Sequence, residues 1–316
     1  NAPTPAAGML PPDQPVSTVN TTPASRSQWR DVWRQFRRHR GAMVALVLFT
    51  GIVLFVTIGP YIWTIDATYV DIRARNQSFS AAHPLGTDQL GRDVLVRIAH
   101  GARVSLLVGV AAACLASAIG VIVGMTAGYF GGWVDTLLGR LMDLIMSVPF
   151  LLCALALVSV FGPSLTLSIC VIVFFSWTTI GRVIRAEAAS LARRDFVQAS
   201  RSLGAGNLSI LVRDILPNLS VPIIIYTTMM IPNSIVFEAT LSFLGLGIVP
   251  PTPSWGGMLA DGATNSMYLV AWWMVLFPGL ALLGSTLAFN IFGDALRDAL
   301  DPAGRRIRRQ RRRAAP

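Results

Sequence analysis

Residues 185–218 read RAEAASLARRDFVQASRSLGAGNLSILVRDILPN. The stretch is long, polar and rich in arginine, yet it lies between two segments apolar enough to cross a bilayer, so it reads as a sizeable structured loop on one membrane face. Two amphipathic helices are legible in it. Ala189, Ala192, Phe196, Ala199 and Leu203 recur at spacings of three and four, which predicts one helix face, with Arg193, Arg194 and Arg201 pointing elsewhere. Gly204 stops that helix, since glycine takes positive φ at no steric cost. Asn207 then reads as the N-cap of a second short helix whose Leu208, Leu211, Val212 and Ile215 share a face. Pro217, lacking a backbone donor, marks the end of that helix and the turn back into the membrane. A rigid helix, glycine turn, helix unit is expected.

The composition agrees with a membrane setting. Hydrophobic residues make up 53% of the 316 and charged residues 13%, with a mean hydropathy of +0.58. The net charge of +10 comes from 26 basic residues, all arginine, clustered at the edges of apolar segments. That placement, at the edges of apolar segments, says membrane topology rather than a nucleic-acid surface. Cys114, Cys153 and Cys170 fall inside apolar segments and read as small core residues, without metal spacing or a disulfide framework. No G-x-x-x-x-G-K-[ST] loop occurs, so any ATP hydrolysis belongs to another chain.

In chain order, residues 1–25 are rich in Pro, Ala, Thr and Ser and read as a disordered tail. Residues 26–41 place Trp29, Trp33 and Phe36 at helical spacing among arginines, which reads either as a basic amphipathic helix on the membrane surface or as a plain positive flank. The six-span domain, 42–304, then opens with spans from Ala42 to about Trp63 and from Val104 to about Tyr129. Gly120, Gly124 and Gly128 on the second form a small-residue packing seam. A third span, from about Leu141 to Phe161, carries Pro149 as a tolerated kink, and a fourth runs from Ser164 to about Ile184. A fifth begins near Leu219 and is expected to bend at Pro222 and Pro232, and a sixth covers about 269–292. External loops fall at 64–101 and 249–268, and a polybasic tail at 305–316 is expected on anionic headgroups. Keeping the arginine clusters on one side demands an all-α protein with six spans and both termini cytoplasmic.

Glu187, Ala188 and Ala189, then Gly204, then Ile215, Leu216 and Pro217 resemble the EAA signature of bacterial ABC importer permeases, the element that docks into a cleft on a cytoplasmic ATPase. The longer run through Asp195, Phe196, Val197, Gln198, Ala199, Arg201, Leu203, Gly204 and Leu216, Pro217, Asn218 is similar to the dipeptide, oligopeptide and nickel branch. Phe196 stands where tyrosine is usual and Ser200 where alanine is usual. The run HPLGTDQLGRDVLVR from His83 to Arg97 resembles the C-type subunits of that branch, with Val96 where a serine is common. FEATLSFLGLG around Glu238 is similar again.

The resemblance implies a type I ABC importer permease fold in the bacterial plasma membrane. It implies pairing with a second, B-type permease, two cytoplasmic ATP-binding subunits below and an extracytoplasmic solute-binding protein above. ATP and Mg would be bound by the partner subunits, with no cofactor and no catalytic residue in this chain. The cargo implied is dipeptides or oligopeptides. Glu187 would be an electrostatic or capping anchor beside Ala188 and Ala189, and Gly204 the turn. Ala205, Gly206 and Asn207 would lie nearest the ATPase, with Leu216 and Pro217 fixing the return. His83, Asp88, Arg92 and Asp93 read as capping and turn residues, contact with the binding protein being the functional option. A lone histidine among them is weak evidence for a metal. Glu238 is either a satisfied structural carboxylate near the outer interface or a contact in the solute path. A secondary transporter would place ionisable groups near the midplane, where none is seen. A scaffold or receptor without transport would lack an ATPase and a second permease as companions.

Overall fold

A computed structural model describes residues 40–62 and 65–300. The tail at 1–25, all but the last two residues of the segment 26–41, and the polybasic stretch 305–316 lie outside the described residues. The described chain is helical, with one isolated bridge between Thr87 and Asp93 and no strand. Its main elements are α1 (Arg40–Ile62), α2 (Val94–Phe130), α3 (Gly132–Ser147), α4 (Phe150–Phe161), α5 (Leu165–Leu191), α6 (Asp195–Ser202), α7 (Asn207–Phe243), α8 (Trp255–Ala263) and α9 (Trp273–Leu300).

Four helices, α2, α5, α7 and α9, are long and apolar enough to cross a membrane, and the bent pair α3 and α4 counts as a fifth crossing if taken as one span. Helix α1 contributes a shorter apolar stretch, Leu46–Gly59. Helices α2 and α7 each have 37 residues, about 55 Å at ~1.5 Å per residue, well beyond the ~30 Å hydrocarbon core. Their ends therefore project into the polar layers, where they carry the features described below.

The centre of the bundle is the packing of α2 on α5. A Cβ added at Gly120 would meet the Trp177 carbonyl at 2.6 Å, and one at Gly124 would meet the Arg185 nitrogen at 3.1 Å. The expected small-residue stripe is thus an intramolecular seam, and glycine is needed there because backbone meets backbone.

Three expectations about helix continuity are corrected. Pro149 does not kink one span: α3 ends at Ser147, Pro149 N-caps α4, and the two axes differ by 80°. Proline has no N–H to continue the ladder and disfavours the helical conformation in the residue before it, so Val148 is extended. Phe150 then holds the elbow, its ring 4.6 Å from Phe237 of α7 and 5.5 Å from Phe175 of α5. The single helix from Ala189 to Leu203 is instead two, since α5 runs to Leu191 and α6 starts at Asp195. Pro217 ends nothing: α7 continues through it. Residues Ile210–Ile215 just ahead are π-helical, and the Leu216 N–H reaches back five residues to Leu211. That wider turn relieves the crowding of the proline ring against the carbonyl four residues earlier. The cysteines correct a fourth reading, for Cys114 and Cys170 are exposed on the surface of this chain rather than in its core.

Candidate functional site

The hairpin between α5 and α7 is built by cap geometry and shared core. Gly204 has φ +83°. Its N–H donates to the Arg201 carbonyl at 3.1 Å and the Ala205 N–H to that of Ser200 at 3.1 Å, the paired bonds of a Schellman C-cap. Beneath the turn, Ala188, Val197, Ile210, Leu211, Ile215 and Leu219 are buried in the same apolar cluster as the helices of the bundle. The hairpin is thus continuous with the core of the bundle.

The structure redistributes the roles read for individual residues. Gly206, not Asn207, is the N-cap of α7, and Asn207 is its first helical residue. Asn207 Oδ1 accepts a hydrogen bond from the Tyr129 hydroxyl at the end of α2, at 2.8 Å. Glu187 is exposed in the body of α5, four residues short of its last residue Leu191, and so caps nothing. Ala188 is fully buried and packs at Gly128, while Ala189 is half-buried beside it. Leu216 is half-buried, and Pro217 is exposed in the first turn after the π segment.

The tip departs from the amphipathic reading. Leu203 is 88% exposed and Leu208 is 74% exposed, although each was assigned to an apolar face. With Gly204, half-buried Ala205 and Gly206 they form an apolar tip, and Arg193, Arg194, Arg201 and Arg213 of the same hairpin are exposed. The predicted faces fail beyond these two leucines: Phe196, Ala199 and Val212 are exposed as well, and Val197 is the buried residue of α6. Tyr129 and Asp135 were also missed. Asp135 on α3 takes a bidentate ion pair from Arg185, through Nη2 at 2.7 Å and through Nε.

The opposite end of the bundle holds a buried ion cluster. Asp88 Oδ1 accepts from the backbone N–H groups of Leu90 and Arg92 at 2.8 and 2.9 Å. Its Oδ2 accepts from Arg92 Nε at 2.7 Å and from Arg97 Nη1. Both guanidiniums also reach Asp261 of α8, at 3.3 and 3.2 Å. Asp93 N-caps α2 through the Val96 N–H at 3.0 Å and pairs with His83 Nδ1 at 2.9 Å. Asp88, Arg92 and Asp93 are thus buried and occupied within the chain, as capping and turn residues are. His83, the fourth residue of that group, is half-buried. The capping Asp93 also moves the start of α2 ten residues ahead of the expected Val104.

Glu238 is fully buried. Its Oε1 accepts from Ser242 Oγ at 2.7 Å, while Oε2 and the nearby Ser234 Oγ have no partner. Ile235 lies against Gly109 of α2 and Ala239 against Gly256 of α8, which seals this part of α7 inside the chain. The carboxylate is therefore enclosed by this chain's own helices in this conformation. Among the described residues, no group of three or more His, Cys, Asp or Glu side chains is arranged to hold a metal ion.

Long apolar helices with one polar hairpin at their end define a multi-pass membrane protein. Residues 120–306 match the family described as binding-protein-dependent transport system inner membrane component, and residues 27–78 match the N-terminal TM domain of oligopeptide transport permease C. The chain is 37% identical to the dipeptide transport system permease protein of Alkalihalophilus pseudofirmus over 299 residues, 95% of each chain. It is 40% identical to the oligopeptide transport system permease protein of Escherichia coli strain K12, over 89% of this chain and 93% of that one. A glutathione transport system permease protein of E. coli is 39% identical over 88% of this chain and 91% of its own length. The chain belongs to the family of binding-protein-dependent transport system inner membrane components, as a permease subunit of an ABC importer.

Proposed function

We propose that this permease carries dipeptides or oligopeptides across the bacterial plasma membrane, and that its hairpin, residues 185–218, is the element gripped by a cytoplasmic ATPase. The observation that carries the reading is the exposed tip of Leu203 and Leu208 on a hairpin whose base is buried in the bundle core. A coupling element transmits only the displacement it does not absorb, and a Schellman-capped turn over a packed core absorbs little. The similarity to dipeptide and oligopeptide permeases supports the cargo class.

In this reading the chain crosses the membrane six times, α1 and the pair α3 and α4 included, with both termini cytoplasmic. It pairs with a B-type permease to enclose the solute path. Two ATP-binding subunits hold ATP and Mg and hydrolyse the nucleotide, and an extracytoplasmic solute-binding protein delivers cargo to the face formed by the segment ahead of α2 and the 249–268 segment. Glu187, exposed and without an ion pair among the described residues, is left free to pair with the ATPase. Nucleotide-driven closure of the ATPase pair moves the hairpins and exchanges inward-facing for outward-facing geometry.

The test is reconstitution of the whole complex in vesicles, with peptides presented by the cognate binding protein. Those that are cargo stimulate ATP turnover and accumulate inside. Gly204→Asp strains the left-handed turn and puts a charge on the tip, so ATP hydrolysis should persist while import falls; normal import in that variant removes the role given to the hairpin.

A further inference from the structure

Tyr129 touches both limbs of the hairpin. It is the penultimate residue of α2 and only 6% exposed. Its hydroxyl donates to Asn207 Oδ1 at 2.8 Å, at the start of α7. Its ring lies under the Arg201 guanidinium, 5.3 Å from centroid to Cζ, in the last turn of α6. Arg201 precedes Gly204 and Asn207 follows it, so one side chain clasps the turn from both sides. The residue before it, Gly128, packs against Ala188 of α5. The end of α2 therefore meets α5, α6 and α7 within two residues.

We propose that Tyr129 is a positioning residue that locks the hairpin to α2. It makes α2 a third recipient of hairpin displacement, beside the two helices that enter and leave the hairpin covalently. Helix α2 is well placed for this, because it runs the length of the molecule to the buried cluster at Asp88 and Arg97. The inference rests on the reading of the hairpin as the ATPase-gripped element. Without the clasp the hairpin still docks, but part of its movement is spent in sliding against α2.

The experiment uses the reconstituted complex and measures import and ATP hydrolysis in the same vesicles, read as ATP consumed per peptide imported. Tyr129→Phe keeps the ring volume and its place under Arg201 but deletes the hydroxyl. Asn207→Ala deletes the acceptor. Each is expected to raise ATP per peptide about five-fold, the worth of one neutral hydrogen bond, and the double variant no further than either alone. Tyr129→Leu, which also loses the face under Arg201, should raise it more. Assembly is checked by recovery of the four-subunit complex, which Tyr129→Phe should leave unchanged. An unaltered ratio in Tyr129→Phe and Asn207→Ala, or additive effects in the double variant, overturns the clasp. Gly204→Asp run alongside separates the two ideas. If it uncouples while the Tyr129 variants do not, the clasp alone fails; if it too is silent, the hairpin reading fails and the clasp with it.

Discussion

Gly128 and Ala188 face each other so closely that a Cβ on the glycine would lie 2.9 Å from the Cβ of the alanine. The alanine is thus small for a packing reason: it closes the seam between α2 and α5 where the hairpin begins. Ala188→Leu forces an isobutyl group into that seam and should cost about 1–3 kcal/mol. The measurement is thermal unfolding of the purified permease, and an unchanged midpoint would show that the helices separate freely there.

Asp88→Asn leaves Arg92 and Arg97 buried with only the partly exposed Asp261 to answer them. Removing one member of a buried ion cluster costs about 3–5 kcal/mol, because the remaining charges stay desolvated. The expected result is sharply lower yield of folded protein. Asp261→Asn should be milder, since Asp261 is the longer-range partner of both arginines. Comparable losses in the two variants would refute this ranking.

Leu203→Glu and Leu208→Glu act on side chains that contact little of their own chain, so folding should shift by less than about 0.5 kcal/mol. Under the proposed function each removes an apolar anchor from an interface and should weaken ATPase binding by about 2 kcal/mol, roughly thirty-fold. Titration of the ATPase subunits onto the permease in nanodiscs checks this, and unchanged affinity would place the contact elsewhere.

Glu238→Gln keeps the shape and the acceptor for Ser242 Oγ, so import and peptide preference should match the parent chain. Glu238→Ala removes the acceptor of the Ser242 hydroxyl, which then keeps only the bond it accepts from the Ile248 N–H, and should destabilise by about 1–3 kcal/mol without altering preference among peptides. A changed peptide preference in Glu238→Gln would return this residue to the solute path.

Much of the fold was legible because apolar runs of bilayer length and the 3.6-residue period are local signals, and so is the glycine at a helix stop. Gly204 needed no partner to be read. What was not legible depended on distance along the chain. The answer to Asp88, Arg92 and Arg97 lies at Asp261, and the partner of Asn207 lies at Tyr129, so neither the burial of the first group nor the lost N-cap role of the second is written nearby. Prolines misled in both directions. Pro149 broke a span expected to kink, while Pro217 passed through a helix expected to end, because a π-helical segment upstream changed the spacing it had to satisfy. The exposure of Leu203 and Leu208, like that of Phe196 and Val212, was hidden because a helical period gives a face but not what that face packs against.

Helix α7 runs from Asn207 to Phe243 as continuous helix, its π segment still hydrogen-bonded and Pro222 and Pro232 contained within it, so its first turn and its last are joined by unbroken helical backbone. Linkage across such a helix is reciprocal. Under the proposed function, whatever preference an ATPase seated at Leu208 imposes on the far side, a ligand arriving there imposes in equal measure on the grip of the ATPase. Occupancy on one side of the membrane can therefore be reported to the other by the backbone of a single helix.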